Sequence, residues 1–399
     1  MIDTSRTVGV LGLGVMGFDI AFLYAQKGYP TLVYDTSEAA MQNLAARRDQ
    51  TIERLKKRNR ISESQIESVK NRLVPAASLS DMTSAALVTE AVSESGKIKK
   101  SVYRRLRETG FTGVLTTNTS SLTRKSLLDS CEYPDEKFAT THFFNPVLYT
   151  PMVEVVRGGI NDSSYATLMS FLIDLGRAPI ETKDISGFVS NSVLMIYAVM
   201  ALRLLEASAT IEAVDGAAKE LRSLPPLFSF DSWKPSIVED VTRVMFEFRG
   251  DFLRSSTLLA TLAKSNPSFY VGQKPNEEIY NSIENRGAGL ESMLKLALLT
   301  SIRIGAAGTV ELGESPATVD FISTEGLKFP GAPLVEIDEF GAEAVLEDLA
   351  KVNQAIPGGK MKAPELLMAM AKERHSFFKD GKADPAIAAF VSGSDHARH

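Results

Sequence analysis

Residues 12–17 read GLGVMG, with glycines at 12, 14 and 17 directly after an apolar run. That spacing has a chemical use. One glycine makes a tight turn, the next lets backbone approach a pyrophosphate, and the third lets a helix pack closely on the preceding strand. Backbone amides and the positive helix end then hold phosphate, so Gly12, Gly14, Met16 and Gly17 are the expected contacts of a dinucleotide. Asp35 lies 23 residues after Gly12 (35 − 12), at the end of the run TLVYD. A carboxylate there accepts both ribose hydroxyls and repels a 2′-phosphate, which favours NAD over NADP. Proton acceptors are scarce. Three of the four histidines, His375, His396 and His399, fall in the last 25 residues, which leaves His142 as the candidate general base of the N-terminal half. An imidazole, with a pKa near ~6.5, takes and returns a proton at neutral pH.

These residues need a framework. The run TVGVLGLG (7–14) predicts a buried parallel strand, and Met16, Ile20, Leu23 and Tyr24 recur at helical spacing over 15–27, where Gly28 stops the helix. A second strand follows at 31–35, then a charged helical stretch over 38–70. Within 47–60, seven basic residues face two acidic ones. Further strands are expected at ALVTEAV (86–92), GVLTTNTS (113–120), HFFNPV (142–147), MVEVVRG (152–158) and 179–182. Alternating strands and helices predict an α/β, Rossmann-like, doubly wound sheet over 1–184.

After KDISGF (183–188) strand patterns give way to long apolar helical stretches. LLATLAKSNPSFY (258–270) matches LLMAMAKERHSFF (366–378) at an offset of 108 (366 − 258), and VDGAAKELRSLPPLFSFDSW from Val214 matches VDFISTEGLKFPGAPLVEID from Val319 at an offset of 105 (319 − 214). Two similar offsets in the same order predict a duplicated all-α module, 185–285 and 286–380, followed by a loose tail at 381–399.

The formal net charge of −5 argues against a surface built to neutralise nucleic acid. A single cysteine, Cys131, excludes an intramolecular disulfide and suits a reducing compartment; it is expected to be a structural thiol. The apolar run at 8–15 is too short to span a bilayer, so a cytoplasmic protein without a membrane partner is expected.

NTSSL (118–122), HFFNPV (142–147), MVEVV (152–156) and SGFVSN (186–191), together with GLGVMG and VYD, give the chain its likeness to a known family. In their order and spacing it resembles the 3-hydroxyacyl-CoA dehydrogenases along its whole length. The doubled helical module is similar to that of the large multifunctional β-oxidation proteins. The resemblance implies NAD-dependent oxidation of a 3-hydroxyacyl thioester, or the reverse reduction. His142 would then remove the 3-hydroxyl proton, Glu154 would orient and support the imidazole, Ser120 would hydrogen-bond the substrate oxygen, and Asn191 would help fix both. Asn145 is expected beside the substrate. Glu90, Lys97 and Asn118 are expected on the nicotinamide side, and Arg54, Lys56 or Lys57 at the phosphates of CoA. Single-module relatives dimerise through the helical part, so two copies in one chain imply a monomer. The sequence departs from the family pattern at Phe18 and Asp19, where small residues are usual, at Ser192, where an arginine is common, and in LRSLPPLFSF before the first module's centre. Other readings stay open: a free 3-hydroxy acid or sugar acid, an acyl group on a carrier protein, or a non-catalytic dinucleotide-binding protein.

Overall fold

The strand of residues Val8–Leu11 (β1) is buried at all four positions, as a strand covered on both faces must be. In the computed structural model, which describes residues 6–131, 133–254, 256–281, 283, 290–356 and 358–393 (backbone alone for 247–249), β1 is a central strand of an eight-stranded sheet. The others are β2 (Thr31–Tyr34), β3 (Leu73–Pro75), β4 (Leu87–Glu90), β5 (Val114–Thr117), β6 (Phe138–Phe143), β7 (Met152–Val156) and β8 (Ala178–Glu181). Their order is β3-β2-β1-β4-β5-β6-β7-β8. All pairings are parallel except β6 with β7. The chain reverses its winding direction at β1, so the tips of β1 and β4 open the crevice in which such sheets bind ligands.

Two apolar cores cover the faces of the sheet. One gathers Phe18, Phe22 and Tyr24 of the first helix, Val15–Gln26, with Leu168, Phe171 and Leu172 of the helix Asp162–Asp174. The other centres on Tyr103, Leu106, Leu115 and Phe138. Cys131 lies in this second core at 1% exposure, a packed thiol. β3 was not evident in the sequence: LVP is three residues long, with only Leu73 buried, and directly follows a helix.

The chain divides into two compact units, Met1–Asp184 and Ile185–His399, at the change of character around 183–188. The second unit is helical. Its long helices Ser190–Glu206 and Glu291–Glu311 pack together so closely that a methyl group on Gly305 would meet Val193 Cα at 3.1 Å. Glu291–Glu311 is long and apolar enough to cross a membrane, but most of that stretch is buried among neighbouring helices, as in the core helix of a globular unit.

The same devices recur down the second unit. Asp215 accepts from the amides of Leu227 and Phe228, and Asp320 accepts from those of Leu334 and Val335. Asp231 holds the amides of Phe269 and Tyr270, and Asp338 those of Phe377 and Phe378. The helices Thr257–Ser265 and Glu365–Glu373 both end on a left-handed residue, Asn266 and Arg374, and each leads into a two-residue hairpin. Those hairpins are too short to give a strand pattern. The expected boundary at 285/286 lies outside the described residues. The tail expected to be loose is ordered in part: Lys382–Ala383 closes the second hairpin and Pro385–Gly393 is a helix with Ile387 buried, because alanines and Pro at its first position favour a helix where composition alone suggested a coil. Residues 394–399, including His396 and His399, lie outside the described residues.

Candidate active site

Each glycine of the loop after β1 meets a different demand. Gly12 has φ +92°, and a methyl there would lie 2.6 Å from the Ala91 carbonyl oxygen. Gly17 allows the first helix to approach β1, since its methyl would fall 1.9 Å from the Gly12 oxygen. Nothing lies within 4 Å of a methyl at Gly14, which faces open space at the helix start. The first turn carries no acidic residue, and Met16 is half-buried beside it. These features fit a dinucleotide pyrophosphate.

Asp35 follows β2 directly. Its Oδ2 accepts from the Leu13 amide at 2.6 Å and its Oδ1 from the Ser37 amide at 2.8 Å. A carboxylate has about four acceptor sites, so both oxygens keep capacity for ribose hydroxyls while the glycine loop is tied to the strand tip.

His142 and Glu154 are brought together by the one antiparallel pairing of the sheet. They are direct register partners on β6 and β7, so their side chains leave the same face. His142 Nδ1 lies 2.8 Å from Glu154 Oε2; the carboxylate is fully buried and the histidine 8% exposed. A buried carboxylate on Nδ1 orients the ring and selects its tautomer. Phe144 packs against the imidazole, with ring centroids 5.6 Å apart.

Asn118, at the end of β5, accepts from the Phe143 amide at 3.0 Å and so fixes the strand next to His142. The loop that follows carries Ser120, and its anchor is a residue that sequence reading missed. Glu94 Oε1 accepts from Thr119 Oγ1 (2.6 Å), the Ser120 amide (2.8 Å), the Ser121 amide (2.9 Å) and Ser121 Oγ (2.9 Å). Burial alone would raise the Glu94 carboxyl, but Lys99 and these donors outweigh it and hold it below the ordinary carboxylate range. The available signal was the second acid of TEAVSE, placed just beyond a strand end.

Glu90 and Lys97 do not come together. Glu90, at the tip of β4, is fully buried: Oε1 accepts from the Val92 amide and Lys99 Nζ (2.8 Å), and Oε2 accepts from Tyr103 and Thr117. Lys97 is exposed on the helix Gly96–Glu108, and Lys99, two residues on, is the buried cation between Glu90 and Glu94. Burial pulls the Lys99 ammonium down, but the two carboxylates overcome it and raise its pKa. Neither periodicity nor motif separates Lys97 from Lys99 in GKIKK.

Arg54, Lys56 and Lys57 lie exposed at the end of the helix Leu44–Lys56, and Lys56 pairs with Glu63 at 3.6 Å. Arg58 and Arg60 extend this patch over the Tyr149 ring, at 5.8 and 5.2 Å. Asn145 is exposed in the turn after β6. Asn191 belongs to the second unit, where it is 8% exposed at the second position of the helix Ser190–Glu206. Ser192 is buried beside it and turns its hydroxyl back to the Phe188 carbonyl, an ordinary helix contact in place of a long cation.

Residues 7–185 match the family model described as the NAD-binding domain of 3-hydroxyacyl-CoA dehydrogenase. The chain is 28% identical over 284 residues to the fatty acid oxidation complex subunit alpha of Colwellia psychrerythraea, which spans 69% of this chain and 39% of that protein. It therefore covers well under half the length of such relatives. Among solved structures, the 3-hydroxybutyryl-CoA dehydrogenase of Escherichia coli K12 has the same fold, with a TM-score of 0.73 and 21% identity over 92% of this chain and 98% of that one. The (S)-3-hydroxybutyryl-CoA dehydrogenase of Ralstonia eutropha is 29% identical, with a TM-score of 0.57, over 65% of this chain and 94% of that one.

Proposed function

We propose that this chain, whose residues 7–185 match the NAD-binding domain of 3-hydroxyacyl-CoA dehydrogenase, interconverts a (3S)-3-hydroxyacyl-CoA and the 3-oxoacyl-CoA. The observation that carries this reading is the buried His142–Glu154 pair in the sheet domain that also holds the glycine loop. When bound, NAD supplies the hydride acceptor. His142 Nε2 takes the 3-hydroxyl proton as the C3–H bond breaks and its electron pair leaves as hydride, so that a carbonyl forms at C3. Glu154 stabilises the imidazolium that results, and in reduction the same proton returns to the new hydroxyl. Ser120, positioned by Glu94, donates to the substrate oxygen, where charge develops. Asn145 serves the substrate side, and Asn118, which fixes the strand beside His142, the nicotinamide side. The exposed cations Arg54 and Lys57 meet the phosphates of CoA, which are dianionic groups suited to a basic patch.

We assign the protein to the cytoplasm, where thiols stay reduced, and infer a monomer, because the long helices Ser190–Glu206 and Glu291–Glu311, one from each repeat, pack on one another within one unit. Light scattering tests the monomer; an obligate dimer overturns it. The activity is tested by NADH oxidation with acetoacetyl-CoA, comparing wild type with His142→Ala and acetoacetyl-CoA with free acetoacetate. Turnover of the thioester that is lost in the variant supports the proposal. Equal turnover of the free acid would redirect the substrate assignment, and turnover that survives in His142→Ala would remove the mechanism.

A further inference from the structure

Phe18 and Asp19 put a large ring and an acid one turn into the first helix, after the loop proposed to receive an anion. The structure shows what accompanies them. Arg47, from the helix Leu44–Lys56, reaches across to the glycine loop: one terminal nitrogen donates to the Leu13 carbonyl at 2.7 Å and the other to the Gly14 carbonyl at 3.1 Å. Its guanidinium lies over the Phe18 ring, 4.1 Å from the centroid, and Phe18 is itself 1% exposed in the core. The cation is thus held in one place by a planar contact below and two acceptors in front. Burial raises the pKa of Asp19, and Arg54 and Arg47 oppose that rise, so both arginines lie within electrostatic reach of the acid.

The two carbonyls are not arbitrary. The Leu13 carbonyl shares its peptide with the Gly14 amide, and the Gly14 carbonyl shares its peptide with the Val15 amide. The loop is open at Gly14, where a methyl would meet nothing within 4 Å, and the Gly14 carbonyl also accepts the first helical bond, from the Phe18 amide at 3.2 Å. A charged donor on a carbonyl polarises the amide at the other end of the same peptide and fixes its direction. We infer that Arg47 is a positioning residue of the dinucleotide site, holding the Gly14 and Val15 amides toward the pyrophosphate and offsetting the negative charge of Asp19. Phe18 is the platform for that guanidinium, so the two departures and Arg47 form one device. The inference rests on the dinucleotide reading of the glycine loop.

NADH binding by fluorescence titration of the full chain tests it, with the melting temperature of each variant measured alongside. Wild-type binding establishes the dinucleotide site itself; without it that reading fails, and the inference with it. With wild-type binding in hand, Arg47→Met is expected to weaken NADH about tenfold or more, and Asp19→Asn in the Arg47→Met background is expected to recover at least about a third of that loss on a logarithmic scale. The KM for acetoacetyl-CoA should change less than about twofold, a split that general loosening of the fold would not give. Should Arg47→Met not fold, Arg47→Lys keeps the charge but not the paired donors, and is expected to weaken NADH about threefold or more. Unchanged NADH affinity in the folded Arg47 variant, or no recovery on neutralising Asp19, overturns the inference.

Discussion

His142 and Glu154 are register partners across the antiparallel pair β6 and β7, with Nδ1 and Oε2 2.8 Å apart. One strand reversal in an otherwise parallel sheet therefore converts a separation of twelve residues (154 − 142) into a hydrogen bond. If the pair is the proton-transfer device, His142→Ala should lower kcat by about 10²- to 10⁴-fold. Glu154→Gln should lower it by about tenfold or more while leaving NADH affinity near wild type. Steady-state kinetics with a parallel NADH titration checks both.

Gly14 and Gly17 should separate binding from folding. A methyl at Gly17 collides with the Gly12 carbonyl oxygen, so Gly17→Ala is expected to destabilise the protein by about 1–3 kcal/mol. A methyl at Gly14 meets nothing of the chain, where φ is −60°, so Gly14→Ala should melt close to wild type but lose NADH binding. Urea denaturation and ligand titration on the same samples distinguish the two outcomes.

Asp35 should set the choice of cofactor. Asp35→Ser removes the charge that repels a 2′-phosphate and also the tie to the Leu13 amide. The expected result is weaker NADH binding, with the NADH-to-NADPH preference narrowed about tenfold or more. A preference unchanged from wild type would assign that selectivity elsewhere.

Glu94 anchors the Ser120 loop through four donors on one oxygen. Its folded pKa lies below the usual 4.5. The stability this provides is present in full above the unfolded value and is lost as pH falls through the lowered one. Wild type should therefore lose stability relative to Glu94→Gln as the medium is acidified below 4.5. At neutral pH, kcat/KM of Glu94→Gln should fall about tenfold or more with NADH affinity retained. Urea melts across that pH range, beside kinetics at pH 7, give the comparison.

Features written in contiguous residues were legible before the structure. GLGVMG and TLVYD carry the turn chemistry and strand end of the cofactor site in a few adjacent letters. The helical repeat was visible because Asp215 and Asp320, or Phe269 and Phe377, sit at matching places in similar strings. His142 stood out by elimination, whereas its pairing with Glu154 came from family likeness and needed the antiparallel register to become geometry. What stayed hidden depends on contacts between distant segments. Arg47 is one of seven basic residues in the charged stretch 47–60, and only the fold shows that it turns inward to the glycine loop while Arg54 stays exposed. Glu94 and Lys99 were hidden because a buried ion cluster at a strand tip leaves no period in the sequence.

The burial of Lys99 bears on survival in the presence of thioesters. Such compounds acylate an amine only when it is reachable and unprotonated. Lys99 is neither: its side chain has no exposed surface, and two carboxylates keep it an ammonium ion. Prolonged incubation with acetyl-CoA followed by peptide mass spectrometry should find acetyl groups on outward lysines such as Lys97 and none on Lys99. The ion cluster that braces the Ser120 loop is thereby shielded from chemical wear by the class of compound the protein is proposed to handle.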